Sequence, residues 1–275
     1  MNPNPNPREL ILKLLVGAPK GSISARGAVA AGEIFGIREN SVRVALVRLA
    51  ASGAIEASGR GAYRAGPRIA DLAADVRGWR SAERRLREWS GAWLAVHAGG
   101  LLRSQRSAWR RCDRALRLLG FREIDRDLFI RPDNLSGGVA SARDRLYKLG
   151  LAAEARVLLA RDFDDAYEAR ARSLWNGARL TESYAKTRHR LERWLETMPE
   201  LELESAARES FLIGNEAIRQ FVFDPLLPDP LVDSRARRAF LDALLRFDRV
   251  GHSIWREVIS PAPVHEAVGA TLNAH

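Results

Sequence analysis

The sequence predicts an α+β protein made of three successive parts. Residues 1–66 contain three short amphipathic segments and a glycine-rich hairpin pattern, residues 85–161 alternate strand and helix patterns, and residues 162–275 have mainly helical periodicity. A connector helix is expected within residues 67–84. A chain of 275 residues, 46% of them hydrophobic, is long enough for two or three domains. We therefore predict domain boundaries after residues 66, 84 and 161.

The first part shows the pattern of three helices followed by a hairpin. Helices are predicted at Arg8–Val16, Ala25–Phe35 and Glu39–Ser52. The Ser24 hydroxyl is placed to cap the second helix, and Gly36 with Ile37 forms a tight corner before the third. Short strands at 55–57 and 62–65 enclose a turn with two glycines. This order of elements is that of a winged helix-turn-helix domain, which binds DNA.

The third predicted helix carries the residues expected to contact bases. An apolar stripe at helical spacing would turn inward and leave the other side chains facing out; its members are Val42, Ala45, Leu46 and Leu49. Arginine suits guanine and asparagine suits adenine, each through two hydrogen bonds. The candidate DNA-binding residues of this helix and its N-terminal end are Arg38, Asn40, Ser41, Arg43, Val44 and Arg48. In the hairpin, or wing, they are Arg60, Tyr63 and Arg64.

The distribution of charge favours a polyanionic partner for the N-terminal side of the chain. The formal net charge is +10. Residues 1–80 hold 12 Lys and Arg against 6 Asp and Glu, residues 81–161 hold 17 against 9, and residues 162–275 hold 15 against 19. The excess of positive charge therefore lies in the first 161 residues, and double-stranded DNA is the partner that fits the predicted helices.

Several classes of protein are disfavoured by what the sequence lacks. Cys112 is the single cysteine, so neither an intramolecular disulfide nor a thiolate metal cluster is expected. The five histidines show no ligand spacing, and no glycine pattern matches a phosphate-binding loop, so we expect no metal and no cofactor. Residues 1–7 do not resemble a secretory signal and no run of 18 apolar residues occurs. We therefore expect a cytoplasmic protein without a membrane partner.

The middle part predicts a ferredoxin-like domain. Strands are expected at Trp93–His97, Phe121–Ile124, Leu128–Ile130 and Ala155–Leu159. Helices are expected at Gln105–Leu119 and Val139–Leu149, each ended by a glycine. The resulting order β-α-β-β-α-β is the split βαβ pattern of that fold. In the last part, helices are predicted at 166–180, 183–197, 205–221 and 234–258, and the prolines of 223–230 indicate an extended loop.

Three stretches of the chain resemble the phenylacetate-degradation repressor (PaaX-type) family of bacterial transcriptional regulators. They lie in the right order at residues 34–49, at 118–133 and at 217–244, the last including Asp224-Pro-Leu-Leu-Pro-Asp-Pro-Leu231. The resemblance implies a homodimeric repressor that binds a palindromic operator through its winged helices. It further implies release from DNA by a small-molecule effector, either phenylacetyl-CoA or another acyl-CoA thioester.

An acyl-CoA needs cations for its phosphates and an apolar slot for its acyl end. The aromatic and basic residues nominated for this purpose in the helical third are Trp175, Arg179, Tyr184 and Arg219. We expect no enzymatic activity.

Two alternatives to a repressor remain. A ferredoxin-like domain also occurs in the metal-dependent nucleases of CRISPR adaptation, which need an Asp at the end of the first strand. Here that strand ends in His97, and Mg²⁺ prefers carboxylate ligands. The other alternative is a nucleoid-associated protein that binds DNA without sequence preference.

Overall fold

The computed structural model describes residues 4–18, 21–99 and 106–259 and has a mixed α+β architecture with two small sheets and a helical C-terminal region. The predicted α+β class is confirmed. The described residues form two compact units. Unit 1 comprises those up to Asp71 together with 201–211 and 249–259; unit 2 comprises those in 72–200 and 212–248. The predicted boundaries after residues 66, 84 and 161 stay a prediction.

Unit 1 begins with three helices and three short strands. The helices are α1 (Pro7–Gly17), α2 (Ala25–Ile34) and α3 (Glu39–Ala51). The strands are β1 (Ser22–Ser24), β2 (Ile55–Ala57) and β3 (Ala62–Ala65), which form an antiparallel sheet in the order β1-β3-β2. The predicted hairpin is thus β2 and β3, and β1 is an additional strand that the sequence pattern did not indicate.

Local features of unit 1 explain where its helices begin and turn. Ser24 Oγ accepts a hydrogen bond from Gly27 N at 2.9 Å, which confirms the predicted cap of α2. Gly36 has a φ of +65°, a left-handed conformation that glycine adopts without a side-chain clash, and it makes the corner between α2 and α3. A Cβ atom at Gly32 would lie 2.7 Å from Val42 Cγ2, so α2 and α3 approach each other closely there.

The core of unit 1 lies between its helices and its sheet. Val42, Leu46 and Leu49 of α3 are buried as predicted, whereas Ala45 is half-buried at the edge of the same cluster. Two further helices contribute their ends to this unit, α9 (Leu203–Val222) and α10 (Ser234–Ile259). The Phe211 ring centroid lies 5.1 Å from that of Phe35. This aromatic contact attaches a distant part of the chain to the N-terminal helices.

Unit 2 contains a four-stranded antiparallel sheet with the order β5-β6-β4-β7. Its strands are β4 (Trp93–His97), β5 (Arg122–Asp125), β6 (Leu128–Pro132) and β7 (Arg156–Ala160). Before the sheet come α4 (Ala70–Arg77) and a 3-10 helix (Gly78–Arg85), and between strands come α5 (Arg106–Leu118) and α6 (Gly138–Lys148). The predicted start of α5 at Gln105 lies outside the described residues. The predicted connector helix ends at Arg77, because the following residues adopt the tighter 3-10 winding.

The sheet and its helices enclose a hydrophobic cluster that includes Leu94, Val96, Leu116 and Phe121. Cys112 lies in this cluster with no exposed surface, and burial raises the pKa of its thiol. The thiol is therefore part of the core and is not activated.

The helical part of unit 2 corrects one prediction. A continuous helix over 166–180 was expected, but α7 (Asp165–Ser173) and α8 (Gly177–Thr197) are separate helices. The Asn176 side chain accepts a hydrogen bond from Arg179 N at 2.9 Å and caps α8. A Cβ atom at Gly177 would lie 1.9 Å from Leu231 O, so only glycine permits this contact. The predicted break near residue 181 is wrong, since α8 runs through it.

Buried side chains hold the proline-containing loop after α9 in place. Arg237 Nη1 donates to Leu227 O at 2.5 Å and Asn134 Nδ2 donates to Leu226 O at 2.7 Å. Tyr184 donates its hydroxyl proton to Asp224 Oδ2 at 2.5 Å. The loop contains neither helix nor strand, as its prolines predicted, but it is not extended throughout, because Leu226 has a left-handed φ of +51° and residues 229–231 form a turn. The bonds from Asn134 and Arg237 satisfy the carbonyls of Leu226 and Leu227. Among the helices described, none combines the length and the apolar character needed to cross a membrane.

Candidate nucleic-acid interface

The outward face of α3 carries most of the predicted base-contacting residues. Burial of the apolar stripe leaves exposed side chains at Arg38, Asn40, Arg43, Val44 and Arg48, while Ser41 is half-buried. Val44 is 39% exposed, a high value for an apolar side chain in a helix otherwise anchored to a core. Arginine, asparagine and a small apolar side chain are the groups that recognise guanine, adenine and the thymine methyl group. The face therefore offers base-reading chemistry at the surface.

Glu39 modifies the charge of this face. Arg43 Nε donates to Glu39 Oε1 at 2.7 Å, and Arg43 Nη2 lies 2.6 Å from the same oxygen. The two side chains are four residues apart on the helix and are 59% and 55% exposed. An exposed pair of this kind contributes only about 0.3–0.5 kcal/mol, so a base or phosphate can replace it. In the free protein, then, Glu39 holds the guanidinium that we expect to contact DNA.

The wing presents two exposed cations and one anchoring ring. Arg60 is exposed on the turn between β2 and β3. Arg64 is directly opposite Glu56 in the strand register, and its Nε lies 2.7 Å from Glu56 Oε1. Tyr63 is half-buried and packs against the unit 1 core. The ring fixes the hairpin to the helices while the two arginines stay at the surface.

A cleft of about 670 Å³ runs along α3 in unit 1. The first turn of α1 and the outward face of α3 form its two sides, and three arginines line it: Arg8, Arg48 and Arg68. The predicted residues Asn40, Ser41 and Val44 line the same cleft. Arg38, Arg43 and the wing residues are not among its lining residues. The structure thus brings together four of the predicted positions.

Arg8 and Arg68 were not predicted as site residues. Both side chains lie at the surface, Arg8 in the first turn of α1 and Arg68 just after the wing. The geometry of helix-turn-helix proteins concerns the recognition helix and the helix directly before it, here α3 and α2, so Arg8 on α1 gave no signal in the sequence. Arg68 gave none either, because only the folded chain brings the segment after the wing to α3.

None of the four residues nominated for an effector lines the α3 cleft or the cavity of about 50 Å³ in unit 2. Trp175 is buried, and its Nε1 donates to Gly120 O at 3.3 Å. Tyr184 is 1% exposed and is bonded to Asp224, and burial raises the pKa of its hydroxyl. Arg179 and Arg219 are exposed. Their role as an effector site stays a prediction. No group of three or more His, Cys, Asp or Glu arranged to hold a metal occurs within the described ranges.

Comparison with known proteins connects the C-terminal part to one family. Residues 175–257 match the model of the PaaX-like protein C-terminal domain. One similar solved structure is the uncharacterized protein Rv0674 from Mycobacterium tuberculosis, with a TM-score of 0.61 and 25% sequence identity over 92% of this chain and 98% of that chain. A search of curated proteins gave no significant match. The chain thus carries a PaaX-like C-terminal domain, which confirms the family resemblance that its sequence predicted.

Proposed function

We propose that this protein is a sequence-specific DNA-binding transcriptional repressor. The observation that carries the proposal is the outward face of α3, where arginines, Asn40 and Val44 stand exposed beside an arginine-lined cleft. The C-terminal domain supports it, because it belongs to a family of transcriptional regulators.

In this proposal α1–α3 and the β1-β3-β2 sheet form a winged helix-turn-helix domain. The close contact of α2 with α3 at Gly32, the corner at Gly36 and the hairpin after α3 support this assignment. Helix α3 would enter the major groove, the first turn of α1 would face the DNA backbone, and Arg60 and Arg64 would contact phosphates or the minor groove. The strand order β5-β6-β4-β7, antiparallel throughout, supports a ferredoxin-like domain in unit 2.

The finer parts of the proposal concern partner and effector. We propose that a homodimer binds a palindromic operator, since the two-fold symmetry of a dimer matches two half-sites about one helical turn apart. The regulated genes would serve the breakdown of an aromatic or related acid. An aryl-CoA thioester such as phenylacetyl-CoA would then release the DNA, in line with the family resemblance.

Fluorescence anisotropy with DNA from upstream of the protein's own gene tests the proposal. We expect saturable, sequence-selective binding that an aryl-CoA thioester weakens. Arg48→Ala should weaken binding, because Arg48 lies on both the exposed face and the cleft. Arg256→Ala is the matched control, since Arg256 is an exposed arginine of unit 1 on α10 and lies outside the cleft and the wing.

The possible outcomes separate the parts of the proposal. Selective binding that ignores every thioester would support the repressor and reject the effector. Binding that is equally strong to unrelated DNA would favour a nucleoid-associated protein instead. Equal weakening by Arg48→Ala and Arg256→Ala would mean that general charge, and not the α3 face, determines affinity. Scrambling one half of a palindrome tests the dimer, because it should weaken binding far more than a change outside both halves.

A further inference from the structure

A small cavity in unit 2 concentrates positive charge. Its volume is about 50 Å³, and three arginines line it: Arg85 from the 3-10 helix, Arg131 from β6 and Arg145 from α6. Apolar side chains complete the wall, among them Trp79 and Phe221. Arg131 is 2% exposed, whereas Arg85 and Arg145 are half-buried. Arginines so far apart in the chain meet here only because the fold brings their elements together.

Arg131 bonds only to neutral acceptors. Its Nε donates to Pro132 O at 3.1 Å, its Nη2 donates to Asn134 Oδ1 at 2.9 Å and to Pro225 O at 3.4 Å, and its Nη1 donates to Leu119 O. No carboxylate of the described chain lies within ion-pair distance of it. Burying a guanidinium is costly, and Asp133 and Asp224 offset that cost only through space, so a ligand that brings a counter-charge into contact is favoured. Burial lowers the pKa of Arg131 to about 10, which still leaves it charged at neutral pH.

The carboxylate on the cavity wall is hydrogen-bonded to groups other than Arg131. Asp224 is the acidic lining residue among those described, and both of its oxygens are engaged. Oδ2 accepts from the Tyr184 hydroxyl at 2.5 Å and Oδ1 accepts from Leu226 N at 2.7 Å. Asp133, the next acid near Arg131, pairs with Arg87. Three arginines and one aspartate thus line the cavity.

We propose that this cavity binds the head group of a compact anion, a carboxylate or a phosphate. One water molecule occupies about 30 Å³ of the liquid, so a cavity near 50 Å³ accepts a group of a few heavy atoms. Planar guanidinium groups match the oxygens of both anions. The apolar wall next to Trp79 would contact a hydrophobic substituent on a carboxylate, while a free phosphate needs the arginines alone. The inference concerns unit 2 and is independent of DNA binding by unit 1.

Isothermal titration calorimetry of the full chain tests the site with sodium phosphate and with sodium benzoate. Neutral benzamide and sodium chloride of equal ionic strength are the reference titrations. We expect saturable binding of one or both anions and none of benzamide. Benzoate alone would identify a carboxylate ligand with an apolar part, and phosphate alone would identify a phosphate ligand. Absence of saturable binding by either anion, or equal binding of benzamide, would overturn the proposal.

Three variants locate the binding. Arg85→Gln and Arg145→Gln should each lower the affinity at least ~10-fold, because each removes a charge-assisted contact to the anion. Arg84→Gln is the matched control, since Arg84 is the exposed neighbour of Arg85 on the same 3-10 helix and does not line the cavity. If Arg85→Gln does not fold, Arg145→Gln on α6 decides alone. Affinities of the Arg85 and Arg145 variants equal to that of Arg84→Gln would place the bound anion elsewhere and refute the site.

Discussion

Because Arg43 pairs with Glu39, we predict that substituting these two residues changes the affinity for operator DNA in opposite directions. If Arg43 contacts a base, Arg43→Ala should weaken operator binding by about 1–3 kcal/mol, or roughly 5- to 150-fold. To reach the DNA, the guanidinium must leave Glu39 Oε1, which lies 2.6 Å from Nη2. Breaking an exposed pair costs about 0.3–0.5 kcal/mol. Glu39→Gln removes that cost and should tighten binding up to about 2-fold.

The double variant shows whether the two effects share one cause. In Glu39→Gln/Arg43→Ala there is no pair to break, so the gain from Glu39→Gln should shrink once Arg43 is absent. Fluorescence anisotropy at several salt concentrations gives the affinities. Thermal unfolding is the necessary companion measurement, because a carboxylate in the first turn of α3 also stabilises the helix by about 0.3–1 kcal/mol. Wild-type affinity and selectivity in Arg43→Ala, or weaker binding by Glu39→Gln, would refute the assignment of this face.

Two further predictions concern the wing and the buried loop. The double variant Arg60→Ala/Arg64→Ala should bind all DNA sequences more weakly. Its plot of log affinity against log salt concentration should be shallower, by about one unit for each phosphate that an arginine no longer neutralises. An unchanged slope would show that the wing does not contact DNA. Burial raises the pKa of Asp224 above its usual 3.8, so its contribution to stability is present below that pH and is lost as pH rises through the raised value. Chemical denaturation should therefore show Asp224→Asn gaining stability relative to wild type as pH rises from about 4 to 7, and a difference independent of pH would contradict this.

Local signals in the sequence account for much of unit 1. The Ser24 hydroxyl needs only the amide three residues later to cap α2, and the stripe of Val42, Leu46 and Leu49 needs only helical spacing to define a buried side. The residues of α3 outside this stripe are then expected to be exposed. For the same reason β4 was predicted with the bounds that the structure has, Trp93–His97, because a short apolar run before glycines is itself the signal.

Residues distant in the sequence decided the features that were missed. Strand β1 exists because Ser22–Ser24 pairs with β3, about forty residues away, and three residues alone carry no strand pattern. The first residue of α8 must be glycine because the backbone of Leu231 comes so close that no side chain fits at position 177. Trp175 and Tyr184 look like ligand-binding residues by composition, yet Gly120 and Asp224 occupy their polar atoms.

By itself the sequence determined the α+β class, the capped helices, the outward side of α3 and the resemblance to the PaaX-type family. These depend on caps, periodicities and short motifs, whose physical causes lie within a few residues of one another. Only the tertiary structure decided that Arg8 and Arg68 line the cleft with Arg48, and that Arg85, Arg131 and Arg145 surround one cavity. The pKa of a charged side chain depends on its burial and on neighbouring groups, and both are properties of the folded chain.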